Sequence, residues 1–350
     1  MRTGVIAIAA SLLVAACGDD GNSVTGDGGA SDGSTDGTVD ALGNVMPTTL
    51  AETGLCDDPA CAVVNPNIIK YVPRYELFAD NATKRRWIQL PPGTKIDTSD
   101  MNYWKFPVGT KVWKEFTRGE HRVETRFMYK VGSDDSLQAS WYWASFVWDT
   151  TATSSTLYDA AEGNTDVAGT GHDVPSRTEC RRCHQNTPGR VLGVNAMSLD
   201  YAAPDGYADL QDLIAMDLLS APPTNPVAGT YFPLPGNDDD KRAFGYLHGN
   251  CSGCHNPTSS IYATTPLDVR IDVTKRATVQ MMPAYATTVN VDAVLSSFPG
   301  KLIIPNDTNG SVLLQRMGSM TPGIKMPEIG SELRDESGYS AIATWINNSL

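Results

Sequence analysis

Two five-residue segments carry the residue types and spacing that can do chemistry: Cys180-Arg-Arg-Cys183-His184 and Cys251-Ser-Gly-Cys254-His255. Cys-x-x-Cys-His is the attachment spacing of a c-type haem. Two thiols about one helical turn apart can each add across one vinyl group of a porphyrin. The histidine that follows supplies a nitrogen to the iron. A zinc site built from both pairs would use a connecting loop of ~15–20 residues, but Cys183 and Cys251 are 68 positions apart. A thioredoxin-like dithiol needs one such pair inside a βαβ unit, and both pairs here sit among prolines and glycines. One match can be chance; two in a chain with an export signal predict two covalently held haem c groups.

The export signal is the N-terminus. Arg2 gives one positive charge, and the apolar run from Val5 to Ala16 is too short to span a bilayer but fits a signal-peptide core over 1–16. The run ends Leu13-Val14-Ala15-Ala16-Cys17, which resembles the lipobox of bacterial lipoproteins and implies lipid attachment at Cys17. An ordinary signal peptide followed by a stray cysteine is the alternative. The expected location is the cell envelope of a double-membrane bacterium, facing the periplasm from a lipid anchor, with inner or outer membrane undecided.

Residues 17–49 are mostly Gly, Asp, Ser and Thr, too poor in apolar residues to offset ordering entropy, and are expected to form a flexible tether. Six aspartates there (Asp19, Asp20, Asp27, Asp32, Asp36, Asp40) carry six of the thirteen net negative charges. The rest is acidic as well, which disfavours nucleic acid and an anionic membrane surface and favours redox partner proteins bearing a basic patch. Of the seven cysteines, Cys56 and Cys61 remain after the lipid and haem positions are assigned. An exported compartment permits a disulfide between them; a metal site there would lack other soft ligands nearby.

These chemical groups need elements to position them. Residues 50–174 hold most of the tryptophans and several β-branched and aromatic runs, including 111–116, 122–129 and 140–148, with breaks at Pro91-Pro92-Gly93, Pro107-Val108-Gly109 and Gly132-Ser133-Asp134. Alternation at period two predicts antiparallel strands in a sandwich-like domain. Trp141, Trp143 and Trp148 read as core, with a ligand platform as the alternative.

After Pro175 helical spacing takes over. Residues 205–220 predict one helix, stopped by Pro222-Pro223. Asp238-Asp239-Asp240 opens another, which runs through Phe244, Tyr246 and Leu247 into Cys251. A last helix begins near Asp335 and places Tyr339, Ile342, Trp345 and Ile346 on one face. Gly245 is the expected small residue where these two helices cross, with Trp345 as its aromatic counterpart. The fold class expected is α+β: an antiparallel β-sandwich-like domain over 50–174, a first haem segment over 175–236, and a cytochrome c-like haem domain over 237–350.

Each iron needs a second axial ligand, and a thioether opposite His is the usual electron-transfer choice. For the second haem three methionines compete. Met317 continues an apolar helical stretch, Met320 lies in a polar turn, and Met326 precedes Pro327 in a stiff loop before the last helix. Met326 is the favoured ligand, with a gap-filling core methionine as the alternative. For the first haem the candidates are Met197, Met216 and His172, with His121, His248 or an open position also allowed, and the sequence leaves this ligand undecided.

These segments together resemble exported di-haem c-type cytochromes in which a β-rich N-terminal region precedes two haem-binding segments. The resemblance rests on Tyr75-Glu-Leu-Phe-Ala-Asp, Lys84-Arg-Arg-Trp-Ile-Gln-Leu-Pro-Pro-Gly, Phe106-Pro-Val-Gly-Thr-Lys-Val-Trp-Lys and Glu124-Thr-Arg-Phe. It continues through Pro175-Ser-Arg-Thr-Glu and the first motif, Tyr246-Leu-His-Gly-Asn and the second, and Met326-Pro327, covering about Tyr71 to the C-terminus. It implies haems and a compartment, not a reaction. Where such proteins often carry an aromatic residue shortly before the Pro-Ser, this chain has His172. Electron transfer is the leading expectation. A haem enzyme of peroxidase type, with one open iron, and a ligand-binding module coupled to the haems are the alternatives. With five histidines in all, two of them haem ligands, a separate catalytic site is hard to assemble.

Overall fold

The computed structural model describes residues 45–158, 163–295 and 298–350; Cys17, the expected leader over 1–16 and most of the expected tether over 17–49 lie outside them. Met46 and Pro47, expected inside the tether, are buried, and Tyr142 donates a hydrogen bond to the Pro47 carbonyl at 3.0 Å.

Six strands form one antiparallel meander in the order β1 (Ile69–Tyr71), β2 (Thr83–Gln89), β3 (Lys111–Arg118), β4 (His121–Lys130), β5 (Trp141–Trp148) and β6 (Ser155–Tyr158). The strands expected at 111–116, 122–129 and 140–148 are β3, β4 and β5. All six belong to a single sheet, so the described residues are not a sandwich. What replaces the second sheet is irregular chain and short helices.

One face carries Trp87, Trp113, Phe127 and Phe146, covered by Leu50, Leu55 and Ile68 and by the disulfide joining Cys56 and Cys61. Trp113 donates from its indole nitrogen to Thr53 at 2.9 Å, which satisfies the one polar atom of a wholly buried ring. The opposite face places Ile88, Val112, Met128 and Trp143 directly across from one another, and packs against Val191, Val194, Leu199 and Leu210. Because both faces are covered, Val112 and Trp113 are both buried although they point opposite ways. The core thus crosses the boundary expected after residue 174: the chain over 191–219 covers the sheet.

Helices follow: α1 (Arg177–His184), α2 (Ala196–Leu199), α3 (Leu210–Ala215), α4 (Asp238–Asn250), α5 (Pro283–Thr288), α6 (Val312–Gly318) and α7 (Glu336–Asn348). The helix predicted over 205–220 contracts to α3. Asp209 accepts from the Gln211 and Asp212 N–H groups and so fixes the start, and Asp217 at φ +57° stops the run.

Helices α4 and α7 cross over a second core containing Phe244, Leu247, Ile342, Trp345 and Ile346. Phe244 meets Trp345 edge-on at 5.5 Å, and the Trp345 indole donates to Asp240 at 2.9 Å. The expectation for Gly245 is corrected. A Cβ on Gly245 would lie 2.2 Å from the Tyr75 ring, so this glycine admits the strand-side segment, not α7. The glycine that lets the helices approach is Gly338, where a Cβ would fall 2.0 Å from the Tyr246 ring. Gly338→Ala is therefore expected to cost about 1–3 kcal/mol by overpacking, read as a lowered denaturant midpoint. An unchanged midpoint would show that Tyr246 moves aside freely.

Candidate functional site

The first motif lies wholly on α1. Ser176 accepts from the Glu179 N–H at 3.2 Å, and the Glu179 carboxylate accepts from the Ser176 N–H at 2.8 Å, a reciprocal cap that starts the helix. No residue of α1 is buried. The helix has no apolar stripe with which to dock, unlike α4, which is anchored through Phe244 and Leu247. The second motif begins where α4 ends, with Cys251 as the C-cap.

The lead-in to α1 is fastened to the sheet by a buried network. Glu124, wholly inaccessible, accepts from Arg126 at 2.8 and 2.9 Å and from Ser145 at 2.8 Å, and lies 2.8 Å from His172 Nε2. Burial opposes ionisation here, but the Arg126 guanidinium and the His172 contact overcome it and hold the Glu124 carboxyl at about 2. His172 thus anchors the approach to the first motif, with Nε2 engaged by a carboxylate.

His184 has a defined orientation. Its Nδ1 lies 2.7 Å from the Arg190 carbonyl oxygen, an acceptor only, so Nδ1 carries the proton and Nε2 carries the lone pair. The carbonyl is aimed by a strained turn. Arg190 sits at φ +59°, held by hydrogen bonds from its guanidinium to the Asp135 and Ser136 carbonyls. The preceding Gly189, at φ +76°, comes so close to the Trp104 carbonyl that a Cβ would clash at 2.0 Å. Partial burial, reinforced by Lys114, Arg126 and Arg190, pushes the His184 imidazolium down to about 4, and partial burial with Arg316 does the same for His255.

Trp143, read from the sequence as core, packs edge-on against the His184 ring at 4.8 Å and is only half-buried. Strand β5 therefore contributes to the site. Its companions on the same sheet face are Arg86, Lys114, Arg126 and Ser145, directly opposite one another across β2 to β5. Sequence reasoning missed Trp143, Arg126 and Arg190 as neighbours of the motif. Only the alternation of β5, which puts Trp143 and Trp141 on one face, carried a signal.

The two motifs meet. Cys183 Sγ and Cys254 Sγ are 3.4 Å apart, and Cys254 Sγ also lies 3.4 Å from the Arg182 carbonyl. Thr258 donates to the Asn186 carbonyl at 2.7 Å, and Arg182 pairs with Glu328, tying α1 to the loop that carries Met326.

Of the three methionines weighed as ligands near the second motif, Met317 is buried in the core with Leu314 and Ile342, and Met320 is 41% exposed. Met326 is partly buried. Its N–H donates to the Arg316 carbonyl at 3.1 Å, and Arg316 and Glu328 are the two charges that act on His255. Met326, Met317 and Met320 line a cavity of about 20 Å³ closed by Tyr246 and Asn250, just ahead of Cys251. Of the first-haem candidates, Met216 is 49% exposed and Met197 is buried in the α4–α7 core. His121 is exposed at the start of β4, and His248 accepts from the Ile271 N–H at 3.1 Å.

Two observations bear on whether these residues suit a haem. The four motif cysteines are free thiols, half-buried. Buried and without a hydrogen-bond partner are His255 Nδ1, Trp143 Nε1 and Arg190 Nε, polar atoms around the motif histidines that a further group would satisfy. The donor set fits: Cys180, Cys183 and His184 would hold one haem, and Cys251, Cys254 and His255 the other. Among the described residues no three His, Cys, Asp or Glu side chains converge as a metal-binding group. Nor does any described helix have the length and apolarity to cross a membrane. No family model matches the chain, and neither a curated protein nor a solved structure matches it.

Proposed function

We propose that this chain is a di-haem c-type cytochrome that carries electrons between redox partners while lipid-anchored through Cys17 and facing the periplasm. The observation that carries the reading is the state of the first motif: two free helix-borne thiols one turn apart, followed by a histidine whose Nδ1 is fixed on a backbone carbonyl. That bond selects Nε2 as ligand and orients the ring, as second-sphere hydrogen bonds do for metal-bound histidines. The bound haem supplies a one-electron iron couple. The chain's part is to hold and tune it. The Arg190 carbonyl raises the basicity of His184, Trp143 shields the ring from water, and Met326 is the candidate thioether at the second iron. The acidic surface selects partners with a basic patch.

A haem redox enzyme is a second reading. The observation favouring it is that Met216 is exposed, Met197 lies in a different core and His172 is held by Glu124, so none of these three candidates is placed to serve as a second ligand beside His184.

The test is the intact mass of the mature chain extracted from membranes, together with the spin state of its ferric form. The expected mass adds two haems and the lipid on Cys17, and the expected spectrum is low-spin with an Fe–Met band. An unmodified chain overturns the reading, and a high-spin signal from one iron transfers support to the enzyme.

A further inference from the structure

We propose that the two haems form a contact pair, joined through the inner thioether sulfurs of Cys183 and Cys254, so that they exchange electrons within the chain and influence each other's reduction. The inference rests on the di-haem reading. It starts from a 3.4 Å separation between two sulfurs that are 71 positions apart in the chain. Each inner cysteine is the thioether position nearest its histidine, so each sulfur would sit at the edge of its own porphyrin. Sulfurs in contact bring those two edges together.

The junction is braced on three sides. The Thr258–Asn186 hydrogen bond joins the residues just after the two motifs, Cys254 Sγ lies 3.4 Å from the Arg182 carbonyl, and the Arg182–Glu328 pair ties the first motif to the Met326 loop. Between them, a Cβ on Gly253 would stand 3.6 Å from the Cys183 Cβ and 3.8 Å from Leu192, ordinary contact distances, so the turn of the second motif already lies against the first. These contacts involve three separate segments and hold the sulfurs in place from both motifs.

With both haems bound by these residues, exchange would need no third reactant, since the electron leaving one iron would be the one arriving at the other. Because the pair is partly screened from solvent, the charge added by the first electron is felt at the second iron, which becomes harder to reduce.

Electron paramagnetic resonance of the fully oxidised holoprotein decides. Two single-haem chains, Cys180→Ser/Cys183→Ser and Cys251→Ser/Cys254→Ser, supply the reference spectra. The expected result is that the two-haem spectrum departs from their sum, with lines broadened or split by spin coupling. The lower reduction wave of the two-haem chain should also fall below that of either single-haem chain. Should a single-haem chain fail to fold, the wild-type spectrum at two microwave frequencies replaces it. A coupling splitting stays constant in field units, whereas a difference in g value scales with frequency. A chain holding two haems with additive, frequency-scaling spectra overturns the pair and leaves the di-haem reading intact. A chain holding no covalent haem overturns both.

Discussion

Serine at both Cys251 and Cys254 is expected to leave one haem per chain, and serine at both Cys180 and Cys183 to do the same. Pyridine haemochrome content should fall by half in each case, and intact mass by one haem. The chemistry is local, since a hydroxyl does not form a thioether with a vinyl group and a lone histidine bond does not keep a haem covalently. The structural consequences differ between the motifs. Helix α4 is held by Phe244, Leu247 and the crossing with α7, so the second motif's scaffold has its own core when the haem is gone. Helix α1 has no buried residue; besides its Ser176–Glu179 cap, worth about 1 kcal/mol, it is held by half-exposed contacts, the Arg182–Glu328 pair and the His184 ring against Trp143 and the Arg190 carbonyl. Without its haem, α1 is expected to fray, and limited proteolysis should cut between Arg177 and Arg190 only in the Cys180/Cys183 variant. Equal resistance in both variants would show that the Arg182 and His184 contacts hold α1 without the haem.

The second large effect is expected at Met326. Met326→Ala should abolish the Fe–Met band of the second haem and open that iron to cyanide. Met326→His should keep it low-spin at a markedly lower potential, because imidazole favours the ferric state more than a thioether does. The prediction singles out Met326 since its backbone is pinned to Arg316 and its loop is tied by Glu328 to α1, within reach of the charges around His255. Met317→Ala should instead cost ~2–5 kcal/mol of stability, as a core truncation. Exposed Met320 should tolerate alanine with little effect on stability or spectrum. These measurements are best made in the Cys180→Ser/Cys183→Ser background, where one haem remains. Survival of the Fe–Met band in Met326→Ala would place the ligand elsewhere, with Met320 next to be tested.

Several elements were legible because their signals are local. Strands β3, β4 and β5 announced themselves by aromatic and β-branched alternation between turn residues, and α7 by apolar residues at helical spacing behind Asp335, which caps it by accepting from the Gly338 N–H at 2.9 Å. The errors were of a different kind. The helix over 205–220 was overextended because helical spacing says nothing about the backbone of Asp217, which turns left-handed. The sandwich failed because alternation reports that each strand has two faces, not what covers them. Here one face is covered by the chain over 50–68 and the other by the segment after the first motif. Gly245 was assigned to the wrong neighbour for the same reason: a missing Cβ signals a close approach without naming what approaches.

What the sequence determined by itself is the covalent chemistry in prospect. Thiols three positions apart with an adjacent histidine match the spacing of a haem attachment site within five residues, and that spacing needs no knowledge of the rest of the chain. What only the tertiary structure decided is every relation between distant segments. It set Trp143 against His184, bound His172 to Glu124, gave His184 Nδ1 the Arg190 carbonyl, and brought Cys183 within 3.4 Å of Cys254. None of these has a sequence period, because each depends on how two cores, one on the sheet and one between α4 and α7, pack so as to bury their apolar faces. Burial is non-directional and summed over many residues, so it places the motifs side by side without leaving a mark at either one.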